Sequence, residues 1–195
     1  ALQASGVAVT IVTGRLFSGT TPAARAIGIN GPIACADGSH VAMAACGTTL
    51  VHHGIEEESL AVVRQACMRS SVTTFVFLRD SILHDDDADA FLPFVSLWTN
   101  DIKHTPSALH SDLPESPTAI VALGPEASIR LAMEDIQRKS GGKLQCAAFG
   151  IKRLGDCWGL IIRREVASKG TALAWLAAHH GCTLAETVCV GDWLN

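Results

Sequence analysis

The chain has 195 residues, 48% of them hydrophobic and 17% charged, with a formal net charge of −4. That balance supplies a packed core and excludes global disorder, and the length holds one large α/β domain or two modest ones. The acidic balance, without a Lys/Arg stripe, speaks against nucleic acid as a partner, and no apolar run reaches the roughly 18–20 residues of a membrane span.

In chain order, Ala1–Gly6 lacks the basic start and apolar middle of a secretory signal and reads as the tail of a helix. Val7–Val12 is a β-branched, almost uninterrupted apolar run, broken only by Thr10, which suits a parallel strand buried on both faces. It ends in Thr13-Gly14-Arg15, and Thr21–Ile27, with Pro22 near its start, predicts a short helix. Pro32–Ala36 predicts a second short strand, and Asp37-Gly38-Ser39 a turn into a return arm over His40–Ala45.

From about Thr49 the texture changes. Glu56–Met68 is amphipathic, with Leu60, Val63 and Cys67 at helical spacing. Val72–Leu78 predicts a strand, followed by an acidic run over His84–Asp89 and a polar, proline-bearing loop over Ser107–Pro117. Thr118–Leu123, Pro125–Lys139 and Leu144–Phe149 predict a β-α-β stretch, and Cys157–Ile162 a further strand. This middle part reads as an α+β unit with its own core of Leu60, Val63, Phe75, Phe77, Ile120, Val121, Leu131 and Phe149. It is expected to join the rest only through Cys46–Val51 and Ile162–Ala167. The first texture then returns. Ser168 predicts an N-cap for a helix over Lys169–His180 stopped by Gly181, and Thr187–Asp192 predicts a buried strand ending in Gly-Asp.

Polar residues thus punctuate strand ends and a helix start: Thr13-Gly14-Arg15, Ser168-Lys169-Gly170 and Gly191-Asp192-x-x-Asn195. In open α/β sheets ligands bind at the carboxyl ends of strands. A hydroxyl, a free backbone N–H, an ammonium and a carboxylate gathered there suit a phosphate with a divalent metal. Taken singly, Thr13 reads as a turn hydrogen bond, Arg15 as a surface cation, and Lys169 as a cation at a helix start, where the dipole disfavours it.

Together these segments resemble the haloacid dehalogenase (HAD) hydrolases, of the Cof-like, α/β-capped kind. Thr13-Gly14-Arg15 is similar to that family's second motif, Pro32–Ser39 to its segment usually ending Asn-Gly-Ala, Ser168–Leu173 to its lysine motif, and Gly191–Asn195 to its Gly-Asp-x-x-Asn motif. The resemblance implies a doubly wound, parallel-sheet, Rossmann-like core over residues 1–48 and 165–195, with an inserted α+β cap over 49–164. It implies an Mg²⁺-dependent phosphatase acting on a small, sugar-phosphate-like metabolite through an aspartyl-phosphate intermediate. In that scheme Lys169 and Thr13 are catalytic. Thr13, Gly14, Arg15, Asp37, Gly38 and Asn195 bind phosphate or substrate, and Asp192 binds the metal. The nucleophilic Asp-x-Asp-Gly-Thr motif is expected ahead of Thr13, outside these residues. Asp37 stands where the family more often has Asn. A non-catalytic phospho-ligand module and a phosphomutase of the same superfamily share these motifs.

Other tempting features read as bland. Asp87-Ala88-Asp89-Ala90 matches Asp-x-Asp, but Ala-Phe follows where Gly-Thr is required, so it reads as a solvated acidic loop. His52-His53 and His179-His180 lack companions for a ligand set. The seven cysteines are scattered and read as free thiols of a reducing cytoplasm, so the protein is expected to be cytoplasmic.

Overall fold

The computed structural model describes residues 2–191. Its first layer is built on a short hairpin. Strands β1 (Pro32–Cys35), β2 (His40–Met43) and β3 (Thr49–His52) form an antiparallel sheet in that order. Residues 9–13 run parallel beside β1. Ala34 N–H donates to Ile11 O, Thr13 N–H donates to Ala34 O, each at 2.9 Å, and Val12 bridges Ala34. Alternation then divides β1 between two faces. Ile33 and Cys35 pack with Ala24 of α1 (Phe17–Ala26), while Ala34 packs with Ala172 and Leu176 of α5 (Lys169–His179). Helices therefore lie on both faces of the strand that leads into Asp37.

Three expectations for this layer are corrected. The run Val7–Val12 is not buried on both faces: Val7 is 47% exposed and residues 9–12 are half-buried, because among the described residues only β1 flanks the segment. The helix expected from Thr21 begins at Phe17. Pro22 in its interior cannot donate to the Ser18 carbonyl, and the Thr21 hydroxyl donates there instead, at 3.3 Å. Residues 187–191 form no strand, and Val188 and Val190 stand exposed, since no described neighbour pairs with them. Ahead of this layer, a single exposed 3-10 turn spans Gln3–Ser5.

The second layer is a six-stranded sheet in the order β6-β5-β4-β7-β9-β8. Its strands are β4 (Thr73–Phe77), β5 (Ile82–His84), β6 (Ile102–His104), β7 (Ala119–Pro125), β8 (Leu144–Gly150) and β9 (Cys157–Arg164). Every pairing is antiparallel except β5 with β6. Helices α2 (Glu57–Ser70) and α4 (Glu126–Lys139) cover one face, setting Leu60, Val63, Ile129 and Ile136 against Val76, Ile120, Leu160 and Ile162. Glu57 and Glu58 in the first turn of α2, and Arg138 and Lys139 in the last turn of α4, complement the helix dipoles. The other face carries Phe75, Phe77, Val121 and Leu123 beneath Val95 of α3 (Leu92–Val95), Trp98, and Leu16 and Ala36 from the first layer. A sheet buried on both faces needs apolar residues at successive positions, which is why Phe75–Phe77 of β4 and Ala119–Leu123 of β7 are unbroken apolar runs. Leu131, expected in this core, is 54% exposed, because it lies on the outer side of α4 from Ile129 and Ala132.

The two sheets share no strand among the described residues. More than the connecting chain joins them, however. Leu16 N–H donates to Trp98 O at 3.2 Å, the Ser18 hydroxyl donates to Asp80 O at 2.6 Å, and Arg79 Nη1 donates to Thr49 Oγ1 at 3.1 Å.

Candidate active site

The turn from β1 to β2 uses three consecutive left-handed residues: Ala36 (φ 48°), Asp37 (φ 54°) and Gly38 (φ 94°). Asp tolerates this region better than most side chains, and Gly freely. At Gly38 a side chain is excluded twice over, since a β-carbon would also lie 2.2 Å from the Ser168 carbonyl oxygen. That close approach brings the start of α5 against the turn. Ser168 caps the helix, accepting from Thr171 N–H at 3.0 Å while Thr171 Oγ1 accepts from Ser168 N–H at 3.0 Å.

Asp37 is the hub. Its N–H donates to Thr13 O at 2.9 Å, and its carboxylate lies 3.1 Å from where a Gly14 β-carbon would stand. Lys169 Nζ is 3.5 Å from Asp37 Oδ1, and Arg163 Nη1 donates to Asp37 Oδ2 at 3.1 Å. Thr13 Oγ1 accepts the Arg15 N–H at 3.2 Å, which orients the hydroxyl proton away from that turn. Thr13, Gly14, Asp37, Gly38 and Lys169 therefore converge across a chain separation of about 150 residues. Arg163 belongs to the same cluster and was missed. Its sequence signal is a strand ending in two arginines shortly before the lysine motif.

The Arg15 side chain is exposed and points elsewhere than the hub's ion pairs. It lines a cleft of about 310 Å³ with Ser18 and Gly19 of α1 and with Ser96, Thr99, Asn100 and Asp101 from the second layer. Beside the hub, burial pushes the Cys35 thiol up to about 12, so it stays protonated and is no nucleophile at neutral pH. Asp192 and Asn195 lie outside the described residues.

Magnesium needs oxygen ligands, carboxylates above all. The Asp37 carboxylate is engaged by two cations, so the described residues of this site do not fit a magnesium ion. Elsewhere Asp85, Asp86 and His104 bring ligand atoms within 4.8 Å of one another. His104 lies on the edge strand β6, four strands from β9 and roughly 19 Å from it at about 4.8 Å per strand, and Asp85 and Asp86 directly follow β5 beside it. Asp87 and Asp89 are exposed, as expected, but they lie in a 3-10 turn over Asp86–Phe91 rather than a loop, and Asp87 Oδ2 accepts from the Thr73 hydroxyl at 2.9 Å. Of the histidine pairs, His52 reaches the Thr118 hydroxyl at 3.1 Å and meets the buried His40 edge to face at 6.0 Å, and His179 stacks on Trp175.

A family model described as haloacid dehalogenase-like hydrolase matches residues 1–195. Among solved structures, a haloacid dehalogenase-like hydrolase from Bacteroides thetaiotaomicron is similar at 14% identity and a TM-score of 0.76, covering 93% of this chain and 67% of that one. One from B. subtilis shares 17% identity at a TM-score of 0.76, covering 99% of this chain and 74% of that one. A HAD subclass IIB sugar phosphatase shares 12% identity at a TM-score of 0.70, covering 94% of this chain and 66% of that one. At such identities the likeness is one of fold: a Rossmann-like core with a cap. No curated protein matches the chain.

Proposed function

Because the chain belongs to the haloacid dehalogenase-like hydrolases over its full length, we propose that it is the phosphate-binding body of a phosphatase acting on a small phosphorylated metabolite. The observation that carries this reading is the convergence of Thr13, Gly14 and Lys169 around Asp37 at the ends of the 9–13 segment and β1. A phosphoryl group set there would accept from the Thr13 hydroxyl and the Gly14 N–H, while the Lys169 ammonium offsets the charge that develops on it. Asp37, neutralised by two cations, is a poor nucleophile. The attacking aspartate of an aspartyl-phosphate mechanism is expected outside these residues, and a magnesium ligand is expected at Asp192. The polar cleft beside Arg15, with hydroxyl, amide and carboxylate groups from both layers, suits the remainder of a sugar-phosphate-like substrate. The division into a core over residues 1–48 and 165–195 and a substrate-gating cap over 49–164 belongs to the same reading.

No helix among the described residues is long and apolar enough to cross a membrane. The free cysteines fit a reducing compartment such as the cytoplasm.

Titration of the chain with inorganic phosphate by calorimetry tests the site. Saturable binding is expected, weakened at least about tenfold in Lys169→Met. Absence of binding would remove the phosphatase reading. An aryl phosphate assay with and without magnesium then separates catalysis from a binding module: the 195-residue chain alone is expected to bind without turnover. Robust magnesium-dependent hydrolysis by this chain would overturn the assignment of an external nucleophile.

A further inference from the structure

His40 on β2 and His52 on β3 stand opposite each other in the antiparallel register, and their rings meet edge to face at 6.0 Å. Side chains so placed are neighbours on one face, so a charge on either is felt by the other. His40 is 2% exposed, and its two ring nitrogens differ in their surroundings. Nε2 lies 3.0 Å from the Thr49 hydroxyl, whereas Nδ1 is buried with no hydrogen-bond partner among the described residues. His52 Nε2 lies 3.1 Å from the hydroxyl of Thr118, a buried residue that leads into β7 of the second layer.

The pair sits where the two layers meet. Arg79 reaches over from the turn between β4 and β5 and donates from Nη1 to Thr49 Oγ1 at 3.1 Å, the same hydroxyl that His40 touches. Glu115, also of the second layer, accepts from the Arg79 N–H at 2.8 Å and from Arg79 Nε. Against His40 the ring of Phe17 stands edge to face at 6.0 Å. Phe17 opens α1, and its neighbour Leu16 donates its N–H to Trp98 O of the second layer. His40 therefore touches two of the routes that bond the first layer to the second.

A proton is poorly accommodated here. An imidazolium carries N–H at both nitrogens, and at Nδ1 it finds no acceptor. It also faces the Arg79 cation and, across the strands, His52, with His53 next along the chain. Glu115, the carboxylate that faces the pair, is already engaged twice by Arg79. Burial first, and then His52 and Arg79, hold the His40 pKa down to about 4, and burial lowers His52 in the same direction. Separating the layers hydrates both rings and takes Arg79 away, so the separated state binds protons more tightly than the joined one.

We propose that His40 and His52 form a proton-operated clasp between the two layers, closed while both rings are neutral and released in mild acid, so that pH governs the opening of the cleft the layers share beside Arg15. The device belongs to the fold and stands whether or not that cleft serves a phosphatase. The neutral His40 ring favours the joined state fully above about pH 6.5, and that preference is lost as pH falls toward 4.

The test is amide hydrogen exchange of the chain followed by NMR, expressed as protection factors so that the intrinsic pH dependence of exchange is removed. The Leu16 N–H is the reporter, because its acceptor lies across the junction. Its opening equilibrium is expected to rise on the order of thirtyfold between about pH 7 and about pH 5. Low concentrations of urea should promote that opening less than they promote exchange in β7 and β9, since separating the layers exposes less surface than unfolding them. In His40→Gln the acid-driven rise should shrink to about fivefold or less. Should that variant fail to fold, His52→Gln removes the half-buried ring across the strands and is expected to hold the rise to about tenfold or less. No rise with acid, a rise of full size in the histidine variant, or Leu16 exchange that tracks β7 and β9 at every urea concentration would overturn the clasp.

Discussion

The hydroxyls of Ser18 in α1 and Thr99 in the loop before β6 lie 2.7 Å apart, and the Ser18 proton goes to the Asp80 carbonyl oxygen at 2.6 Å. Thr99 is therefore the donor of the pair, and at 2% exposure it is sealed into the contact. This junction ties the helix after the Thr13 loop to the second layer, beside the cleft that Arg15 lines.

Gly19 is what lets the junction close. A β-carbon there would lie 2.2 Å from the Trp98 carbonyl oxygen, a backbone atom that moves only with its loop. Gly19→Ala should gain about 1 kcal/mol of helix propensity but lose about 1–3 kcal/mol to overpacking, so the net effect is destabilising. Denaturant unfolding should show a lower midpoint, and limited proteolysis faster cleavage over residues 96–101. A midpoint equal to or above wild type would contradict the close approach.

Acid should weaken this fold through His40. Burial first, then the charges of His52 and Arg79, lower its pKa from 6.5 to about 4, against an opposing contribution from Glu115. Burial lowers His52 and His53 as well. A histidine held neutral in the folded state contributes stability that is fully present above about pH 6.5 and lost as pH falls toward 4. The shift at His40 corresponds to roughly 3 kcal/mol at most. Unfolding free energy measured from pH 7.5 to 4.5 should fall, and His40→Gln should flatten the slope. Parallel curves for the two proteins would rule His40 out.

At the active-site turn, Gly38→Ala combines a left-handed backbone with a 2.2 Å encounter with the Ser168 carbonyl. The conformational part alone is about 1 kcal/mol, and the clash adds to it by displacing the start of α5. The expected result is a loss of at least about 2 kcal/mol, together with loss of phosphate binding, because Lys169 moves with the helix. Normal stability and phosphate affinity in this variant would refute the packing of α5 on the turn.

Two residues of α4 separate what periodicity suggests from what burial decides. Ile129 is fully buried, whereas Leu131 is 54% exposed. Ile129→Ala should lose about 2–5 kcal/mol, and Leu131→Ala less than about 0.5 kcal/mol, by chemical denaturation. Similar losses at both positions would overturn the orientation of the helix.

Much of this molecule is legible in residue order alone, because its signals are local. Ser168 reads as the cap of α5 since a hydroxyl three residues before a matching Thr171 can act only on its own helix end. Asp37-Gly38 reads as a turn, and the amphipathic period of Glu56–Met68 as a helix, for the same reason. The motif order that marks the family is likewise a property of the chain. Partners distant in sequence were decided elsewhere. Whether Val188 and Val190 lie in a strand depends on neighbours that an apolar run cannot name, and in the structure they are exposed. That Asp37 is shared by Lys169 and Arg163, 126 residues further on in the case of Arg163, is set by where β9 ends against the β1–β2 turn. Charge pairing acts through space over a few ångströms, so only the packing of the two sheets determined which cations meet that carboxylate.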